Sequence, residues 1–353
     1  MLQSNTLVIG DCHFHNPYPA IDYIKQQFDV INRIVKLECP KHIIFLGDVF
    51  HYRKPDPEII LEVVSFFNKL CLLTPGLKAI YVIRGNHDTA SKSDTETKTI
   101  LDVLDFKFTK NKVHVINDTD GVQLDNLDFQ MIPHYDKESY ILKELALYDT
   151  SLVPPDVKKF VFGHFGFKGC INTAGDEDSK LTIDAFKYPT FLGHIHKPQD
   201  EGHVHVVGTP YSTSFSESDN NHRYAIIHDD GTYEFKPIKF GLRYLSFSID
   251  ALEANKDLIN DPKYFTLLRV FINQITDQNS VDLRKQILKD YNVKWVDIKF
   301  LPMIDEEGEQ SAYRPKSMVF EVDDQLIDSY VSEARSEIPK AQLLDGLKML
   351  KVK

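Results

Sequence analysis

The chain has 353 residues, of which 42% are hydrophobic and 26% charged, the composition of an ordinary globular protein with room for one large domain and a smaller one. Its formal net charge of −11 excludes a protein that coats nucleic acid through bulk positive charge, but not an enzyme that holds a phosphate backbone with metal ions and a local basic patch. No stretch approaches the ~20 apolar residues that a membrane-spanning helix needs.

The N-terminus and the cysteines both indicate a protein of a reducing compartment. Residues 1–6 carry no basic segment, and Leu7 already begins the first predicted strand, so we expect no signal peptide. The four cysteines are scattered and form no C-x-x-C pair, which favours thiols over disulfides. They are Cys12, Cys39, Cys71 and Cys170. The expected location is therefore the cytoplasm.

Predicted strands and helices alternate over the first hundred residues. Short apolar runs at Leu7–Ile9, Ile43–Leu46 and Ala79–Ile83 are typical of buried strands. The spacing of apolar residues predicts helices over about Tyr18–Cys39 and Pro57–Leu73. The second helix is apolar on more than one face, so we expect it to be buried on two sides. The resulting β-α-β-α-β order is typical of a layered α/β fold.

Strands follow one another more closely after a short predicted helix at Thr99–Leu104. We expect them to form a second, largely antiparallel set that packs face to face with the first, with helices outside. The predicted members are Val113–Ile116, Val122–Leu124, Phe129–Ile132, Phe160–Phe162, Thr190–Leu192, Val204–Val207, Tyr224–His228 and Thr232–Pro237.

The pattern changes beyond residue 240. A strand at Phe265–Ile272, a helix at Ser280–Asp290 and a strand at Val293–Phe300 form a predicted β-α-β module without metal-capable residues at its strand ends. A polar, acidic linker over Asp305–Ser317 precedes two amphipathic helices, which are predicted over Asp324–Ser336 and Pro339–Leu350. The predicted divisions are residues 1–240, 241–320 and 321–353.

Five predicted strands end in the same way, with an apolar run, then a glycine, then a side chain that can bind a metal. In Lys41–His51 the run Ile43–Leu46 stops at Gly47, and Asp48 follows. Open α/β sheets bind ligands at the carboxyl ends of their strands, so a carboxylate there favours a site. The five segments are Val8–His13, Lys41–His51, Tyr81–Asp88, Phe160–His164 and Phe191–His196.

The side chains after these strands supply oxygen and nitrogen donors suited to Mn²⁺, Fe or Zn²⁺. We expect Asp48 to bridge two ions, and two divalent ions ~3.5–4 Å apart can clamp phosphoryl oxygen atoms and generate hydroxide near neutral pH. The first predicted ligand set is Asp11, His13, Asp48 and His196. The second is Asp48, Asn86, His164 and His194.

His87 follows a predicted ligand and is expected to point toward the substrate, where a histidine can protonate a leaving oxygen. We expect Asp88 to hold its other ring nitrogen and set its tautomer. Asp-x-His alone is weak evidence and Gly-Asn-His-Asp after a strand is stronger, whereas all five motifs in this order are specific.

This ordered set resembles the calcineurin-like metallophosphoesterase superfamily over about Leu7–Tyr211. The shared motifs are Gly-Asp-x-His, Gly-Asp, Gly-Asn-His-Asp, Gly-His and Gly-His-x-His. The resemblance implies a four-layer α/β/β/α sandwich with a small C-terminal α+β capping domain and terminal helices. It carries the same two ligand sets onto this chain, with His87 as the catalytic acid and no ligand position missing.

A narrower resemblance lies in Gly47–Pro55, which looks like the DNA-repair nucleases of the SbcD or meiotic-recombination-eleven type. Those proteins usually have leucine and arginine where this chain has Val49 and Lys54. Gly208–Glu217 is similar to the segment that follows their last metal histidine. By resemblance His51 would touch the scissile phosphate, and the alternative is a loop histidine without that contact.

The narrower resemblance implies a Mn²⁺-dependent nuclease that acts as 3′-to-5′ exonuclease on duplex ends and as endonuclease on single strands. It also implies a homodimer formed through the helices Ile59–Leu70 and Thr99–Leu104, with simple core packing as the alternative. The β-α-β module would cap the DNA, and the terminal helices would bind the coiled coil of an SbcC-like ATPase. The short chain resembles bacterial and phage members.

Two alternatives stay open at this stage. The chain could be another enzyme of the superfamily, acting on a small phosphodiester or a phosphoprotein, although such an enzyme has no obvious need for a cap and a docking segment. It could also be a non-catalytic scaffold on the same fold. The complete ligand set speaks against a scaffold, which has no physical reason to keep it.

Overall fold

The computed structural model describes residues 5–89, 99–104, 112–124, 126–172, 175–176, 179–272 and 280–300. All of them except Ile272 and Phe300 belong to one compact unit. The predicted acidic linker and the two terminal helices lie outside the described residues, so these predictions and the three-part division remain untested. No helix in the described part of the chain is long and apolar enough to cross a membrane.

Short strands make up most of the regular structure. In chain order they are β1 (Asn5–Ile9), β2 (His42–Phe45), β3 (Ala79–Ile83), β4 (Val113–Ile116), β5 (Asp120–Leu124), β6 (Leu127–Ile132), β7 (Lys158–Gly163), β8 (Ile171–Asn172), β9 (Gly175–Asp176), β10 (Thr190–Leu192), β11 (Gln199–Glu201), β12 (Val204–Val206), β13 (Arg223–His228), β14 (Tyr233–Pro237), β15 (Gly241–Ser248), β16 (Tyr264–Ile272) and β17 (Trp295–Phe300). The α-helices are α1 (Tyr23–Glu38), α2 (Pro57–Leu73), α3 (Glu138–Thr150), α4 (Lys256–Ile259) and α5 (Ser280–Asp290).

Two six-stranded sheets form the body of the fold. The first has the order β14-β13-β1-β2-β3-β4, in which β1 to β4 are parallel and β13 and β14 are antiparallel additions. The second has the order β11-β12-β10-β7-β6-β5, in which the four central strands are parallel and only the two edge strands are antiparallel.

The expectation of a largely antiparallel second set is therefore wrong. β4, β13 and β14 belong to the first sheet, and the centre of the second sheet is parallel. A parallel pair needs a long crossover connection, and α3, which the sequence reading missed, provides it between β6 and β7. Only Ile141, Leu145 and Tyr148 of α3 are buried, so its apolar pattern is weak.

Successive side chains of a strand point to opposite faces of its sheet, which explains why the sheets pack as layers. In β1, Val8 lies in the apolar cluster between the two sheets, whereas Leu7 and Ile9 face the cluster that contains α1 and α2. A third cluster joins the outer face of the second sheet to α3. The predicted sandwich of two sheets with helices outside is confirmed.

Helix α2 has the predicted bounds, but within the described residues only one of its faces is buried. Val63, Phe66 and Phe67 pack into the core beneath the first sheet. Leu61 and Leu73 are 71% and 75% exposed, so the described residues do not bury α2 on two sides as expected. The short helix predicted before β4 is a 3-10 turn at Ile100–Leu104.

A third sheet, with the order β15-β16-β17, follows the sandwich. β15 and β16 are parallel, and α5 lies between β16 and β17 in the chain. The sheet reaches the sandwich through α1, where the hydroxyl of Tyr244 on β15 donates to that of Tyr23 at 2.8 Å. The predicted strand-helix-strand module therefore forms, with β15 as an additional strand.

Candidate metal centre

The polar side chains that follow five parallel strands meet at one edge of the sandwich. Asp11 and His13 follow β1, Asp48 follows β2, and His164 follows β7 in the other sheet. Nδ1 of His164 lies 3.3 Å from Oδ1 of Asp11, so the two sheets meet at this edge. The same strand-end rule that predicted the site from the sequence explains its position in the fold.

Asp48 lies at the centre of this arrangement. Its Oδ2 atom is 3.6 Å from Nε2 of His13 and 3.4 Å from Nε2 of His164. Among the described residues, two groups of metal-capable side chains have donor atoms that all lie within 4.8 Å of one another, and Asp48 belongs to both. One group is His13, Asp48 and His87, and the other is Asp11, Asp48 and His164. This position fits the predicted sharing of Asp48 between two ions.

The remaining predicted ligands lie around these two groups. Oδ1 of Asn86 is 2.9 Å from Nε2 of His164 and 3.0 Å from Nδ1 of His194. The ring of His196 lies 4.6 Å from that of His13, centroid to centroid. The structure thus brings every predicted ligand to the same edge. It also brings in His87, which the sequence assigned to proton transfer rather than to a metal.

Several buried polar atoms at the centre have no hydrogen-bond partner among the described residues. They are Oδ2 of Asp11 and both ring nitrogens of His13. Buried polar atoms are almost always paired in native proteins, because an unpaired one loses its hydration without replacement. Unpaired carboxylate and imidazole atoms beside Asp48 are a donor set for a cation, so these residues fit the two divalent ions implied by the motifs.

The electrostatics of the centre also fit a cation. Burial favours a lower pKa for His164, but Asp48 and Asp11 outweigh it and raise that pKa to about 9. Burial and the neighbouring histidines hold the pKa of His13 well below its usual value despite Asp48, so this ring is neutral, as a metal ligand must be. A proton on His164 balances the buried carboxylates, and a bound cation would take over that charge.

The backbone lets the strand ends approach closely. His13, Asp48 and His194 all have positive φ angles, of 46°, 46° and 77°. This conformation costs a non-glycine residue about 1–3 kcal/mol and is typical of functional sites. A Cβ on Gly85 would lie only 2.2 Å from Oδ1 of Asp48, so a glycine is required where the loop after β3 crosses Asp48.

Asp88 does not hold the ring of His87 as predicted. Its carboxylate is fully buried and accepts the backbone N–H groups of Gly85, Phe50 and Val49 at 2.9, 3.2 and 3.4 Å. It therefore ties the loop after β2 to the loop after β3. Nδ1 of His87 instead donates to the carbonyl of His51 at 2.5 Å, which fixes the tautomer in place of Asp88. The spacing gave no sign of this exchange of partners.

His51 lies beside the centre, where the sequence predicts a substrate contact. Its ring is stacked on that of His15 at 4.2 Å and lies 5.3 Å from the ring of His13. Burial, with the nearby His87 and His196, lowers the pKa of His51 to about 4, so the ring is neutral. A neutral imidazole can donate one hydrogen bond to an anionic oxygen.

Two residues that support the centre were not predicted. Gln27 on α1 is buried, and its side chain donates to the carbonyl of His13 and accepts from the N–H of His15, both at 3.1 Å. Its signal was a polar residue on the otherwise apolar face of α1. Glu217 accepts a hydrogen bond from Nδ1 of His196 at 2.6 Å, and its signal in the sequence was its place at the end of the Gly208–Glu217 segment.

The family comparison agrees with this geometry. The family model described as Calcineurin-like phosphoesterase matches residues 4–198, which is more than half of the chain and contains every predicted metal ligand. A comparison with curated proteins found no match. The chain therefore belongs to the calcineurin-like phosphoesterase family, whose members are metal-dependent phosphoester hydrolases that bind two divalent ions.

Proposed function

We propose that the chain is a Mn²⁺-dependent nuclease that hydrolyses the phosphodiester bonds of DNA, of the SbcD or meiotic-recombination-eleven type. The observation that carries this proposal is the position of His51. This residue belongs to the Gly47–Pro55 segment on which the nuclease resemblance rests. Its ring lies next to the predicted ligand His13 and 6.1 Å from the ring of His87. A phosphate bound at the centre would lie within reach of it.

Each part of the centre has a role in this proposal. The seven predicted ligands would hold the two ions, which polarise a phosphoryl group and supply a nucleophile at neutral pH. The ligands are Asp11, His13, Asp48, Asn86, His164, His194 and His196. His87 donates through Nδ1 to the carbonyl of His51, so its Nε2 atom is the one free to act, and the protonated imidazolium form of the ring would give the Nε2 proton to the departing oxygen. Asp88 contributes by fixing the loop that carries His87.

The surface of α2 supports a second part of the proposal, that the nuclease is a homodimer. Leu61, Leu72 and Leu73 are all more than half exposed on this helix. Leu61 and Leu72 are about three turns apart and therefore lie on the same side of the helix, and exposed apolar surface along one side of a helix is typical of an interface. By resemblance, the segment beyond residue 320 would bind the coiled coil of an SbcC-like ATPase, in a bacterial or phage-infected cytoplasm, and this part lies outside the described residues.

Incubation of the chain with end-labelled duplex DNA and Mn²⁺ tests the proposal, with and without a candidate ATPase partner. We expect label to be released from 3′ ends, and no release when the metal is chelated. The matched substrate is bis(p-nitrophenyl) phosphate, a small phosphodiester. Inert DNA together with rapid turnover of the small ester would instead favour a small-molecule phosphodiesterase. Inactivity on both substrates, with metal bound, would favour the non-catalytic scaffold.

A further inference from the structure

Glu217 lies outside the metal motifs, yet its carboxylate is buried against a predicted ligand. The residue ends a 3-10 turn, Phe215–Glu217, in the loop between β12 and β13, and it is only 4% exposed. Nδ1 of His196 donates to its Oε1 atom at 2.6 Å. A contact this short between a buried carboxylate and an imidazole is a charge-assisted hydrogen bond, which is stronger and more directional than a neutral one.

The carboxylate is fixed by its own loop. The backbone N–H of Thr213 donates to Oε2 at 2.8 Å, and the Thr213 hydroxyl donates to Oε1 at 2.9 Å. The carbonyl of Glu217 accepts from the hydroxyl of Ser212 at 3.1 Å and from the N–H of Asn220 at 3.0 Å. Both the side chain and the backbone of Glu217 are therefore held in place independently of His196.

The third sheet, β15-β16-β17, also packs against this loop. The ring of Phe215 lies under the guanidinium of Arg269 on β16, at 4.1 Å, and meets the ring of Tyr244 on β15 edge to face at 4.7 Å. Arg269 in turn pairs with Asp297 on β17 at 2.8 Å. All three strands of the sheet thus contribute to the position of Glu217.

This arrangement decides which atom of His196 can reach a metal ion. Because Nδ1 donates its proton to Glu217, the lone pair of the neutral ring is on Nε2. Histidine ligands almost always have their other ring nitrogen fixed in this way, and His164 shows the same pattern, donating through Nδ1 to the carbonyl of Leu46 at 2.7 Å. His164 uses a backbone carbonyl for this purpose, whereas His196 depends on a side chain that can be replaced.

We propose that Glu217 is the positioning residue for His196, fixing its tautomer and ring orientation so that Nε2 serves the first predicted metal site. The inference rests on the proposed role of His196 as a ligand. Loss of such a partner lowers metal affinity by about 10–100-fold in comparable sites. Among the predicted ligands, which all lie in the described part of the chain, His196 is the one that is hydrogen-bonded to Glu217, so the effect should be confined to one of the two ions.

The test is Mn²⁺ binding to the full chain after removal of metal with a chelator, followed by calorimetry and by the electron paramagnetic resonance signal of unbound Mn²⁺. We expect Glu217→Met and Glu217→Ala, which remove the hydrogen-bond acceptor, to weaken binding of one ion by about 10–100-fold and to leave the other unchanged. Glu217→Asp should fall between these variants and the wild type, because its carboxylate is one methylene too short. Metal-free unfolding midpoints identify variants that fold, and Glu217→Met decides if Glu217→Ala does not.

Three controls separate the outcomes. Thr213→Val removes a hydroxyl that holds the carboxylate but leaves the pair with His196, and Glu201→Gln changes an exposed acid on β11. The proposal is overturned if folded Glu217→Met binds both ions like the wild type, or if Glu201→Gln weakens binding as much. Thr213→Val removes only one of the hydrogen bonds that fix the carboxylate, so it should weaken binding less than Glu217→Met does. The third control is His196→Ala: if this variant also keeps both ions, the ligand role of His196 is wrong, whereas an effect of His196→Ala alone would refute only the role of Glu217.

Discussion

Oδ2 of Asp48 lies 3.4 Å from Nε2 of His164, and these side chains are only 3% and 0% exposed, although they follow strands of different sheets. The centre therefore exists only when the two sheets are packed together. A ligand that binds only the folded state stabilises it by mass action. Metal binding and packing of the sandwich should thus support each other.

The first prediction concerns the glycine under Asp48. In Gly85→Ala the new Cβ would lie 2.2 Å from Oδ1 and 2.3 Å from the backbone nitrogen of Asp48, so Asp48 must move. We expect weaker Mn²⁺ binding at both sites and a loss of about 1–3 kcal/mol in the free energy of unfolding. Calorimetry and chemical denaturation measure the two effects. Gly121→Ala is the matched control, since its Cβ would come no closer than 3.7 Å to its nearest neighbour.

The second prediction separates two roles of His87. If His87 is the catalytic acid, His87→Ala should lower kcat by about 10²–10⁴-fold and leave two Mn²⁺ ions bound per chain. His87 also lies in one of the close groups around Asp48, so metal content must be measured alongside the rate. Loss of an ion from this variant would make His87 a ligand, and full activity would contradict the acid role.

The third prediction concerns the metal-free protein above pH 7. The pKa of His164 is raised from 6.5 to about 9, so its proton stabilises the fold fully below pH 6.5 and is lost as the pH rises toward 9. The pKa of Asp88, raised to about 7 by burial and Asp48, acts in the same direction below that window. The chelated protein should therefore have a lower unfolding midpoint at pH 9 than at pH 7.

Substitution at His164 tests the cause of this pH dependence. His164→Gln should flatten the decline between pH 7 and 9, whereas His114→Gln, an exposed position on β4, should keep it. With Mn²⁺ present the decline should disappear, because the ion replaces the proton and binds deprotonated ligands. An unfolding midpoint that stays constant or rises over this range in the chelated wild type would be inconsistent with a protonated His164 beside the buried carboxylate of Asp48.

The fourth prediction tests the exposed leucines of α2. Leu61→Lys with Leu73→Lys should convert the proposed dimer to a monomer in sedimentation or light scattering, because charge on a desolvated interface is costly. Surface substitutions usually change the free energy of unfolding by less than about 0.5 kcal/mol, so the fold should persist. Leu147→Lys on α3 is the matched control, because it replaces a leucine that is also more than half exposed but lies on another helix. It should leave the dimer intact. A monomeric wild type, or a dimer that survives the double substitution, would remove α2 from the interface.

Local patterns predicted the elements well and their arrangement less well. The bounds of β3, α2 and α5 agree with those predicted, because apolar spacing and flanking prolines are local signals. Apolar spacing reports that a strand is buried, but not which sheet buries it. For that reason β4, β13 and β14 are predicted in the wrong set, and the antiparallel direction expected for β4 is wrong.

The same limit applies to the centre. Strand-end motifs predicted which side chains converge, since the fold itself brings those strand ends to one edge. The hydrogen-bond partners of these side chains lie on other segments of the chain, which the strand-end motifs do not describe. Asp88 binds backbone N–H groups of the loop after β2, and Glu217 binds His196. The spacing of residues in the sequence predicts neither contact.

The most direct test is the number of Mn²⁺ ions bound by wild type and by Asp48→Asn, measured by calorimetry and by the exchange-coupled resonance of an ion pair. The wild type should bind two coupled ions, and Asp48→Asn should lose affinity for both by more than about 100-fold, beyond the effect of losing a mere supporting residue. Asp120→Asn, an exposed acid on β5, should behave like the wild type. If Asp48→Asn still binds two ions, or loses only one, Asp48 is not the shared ligand.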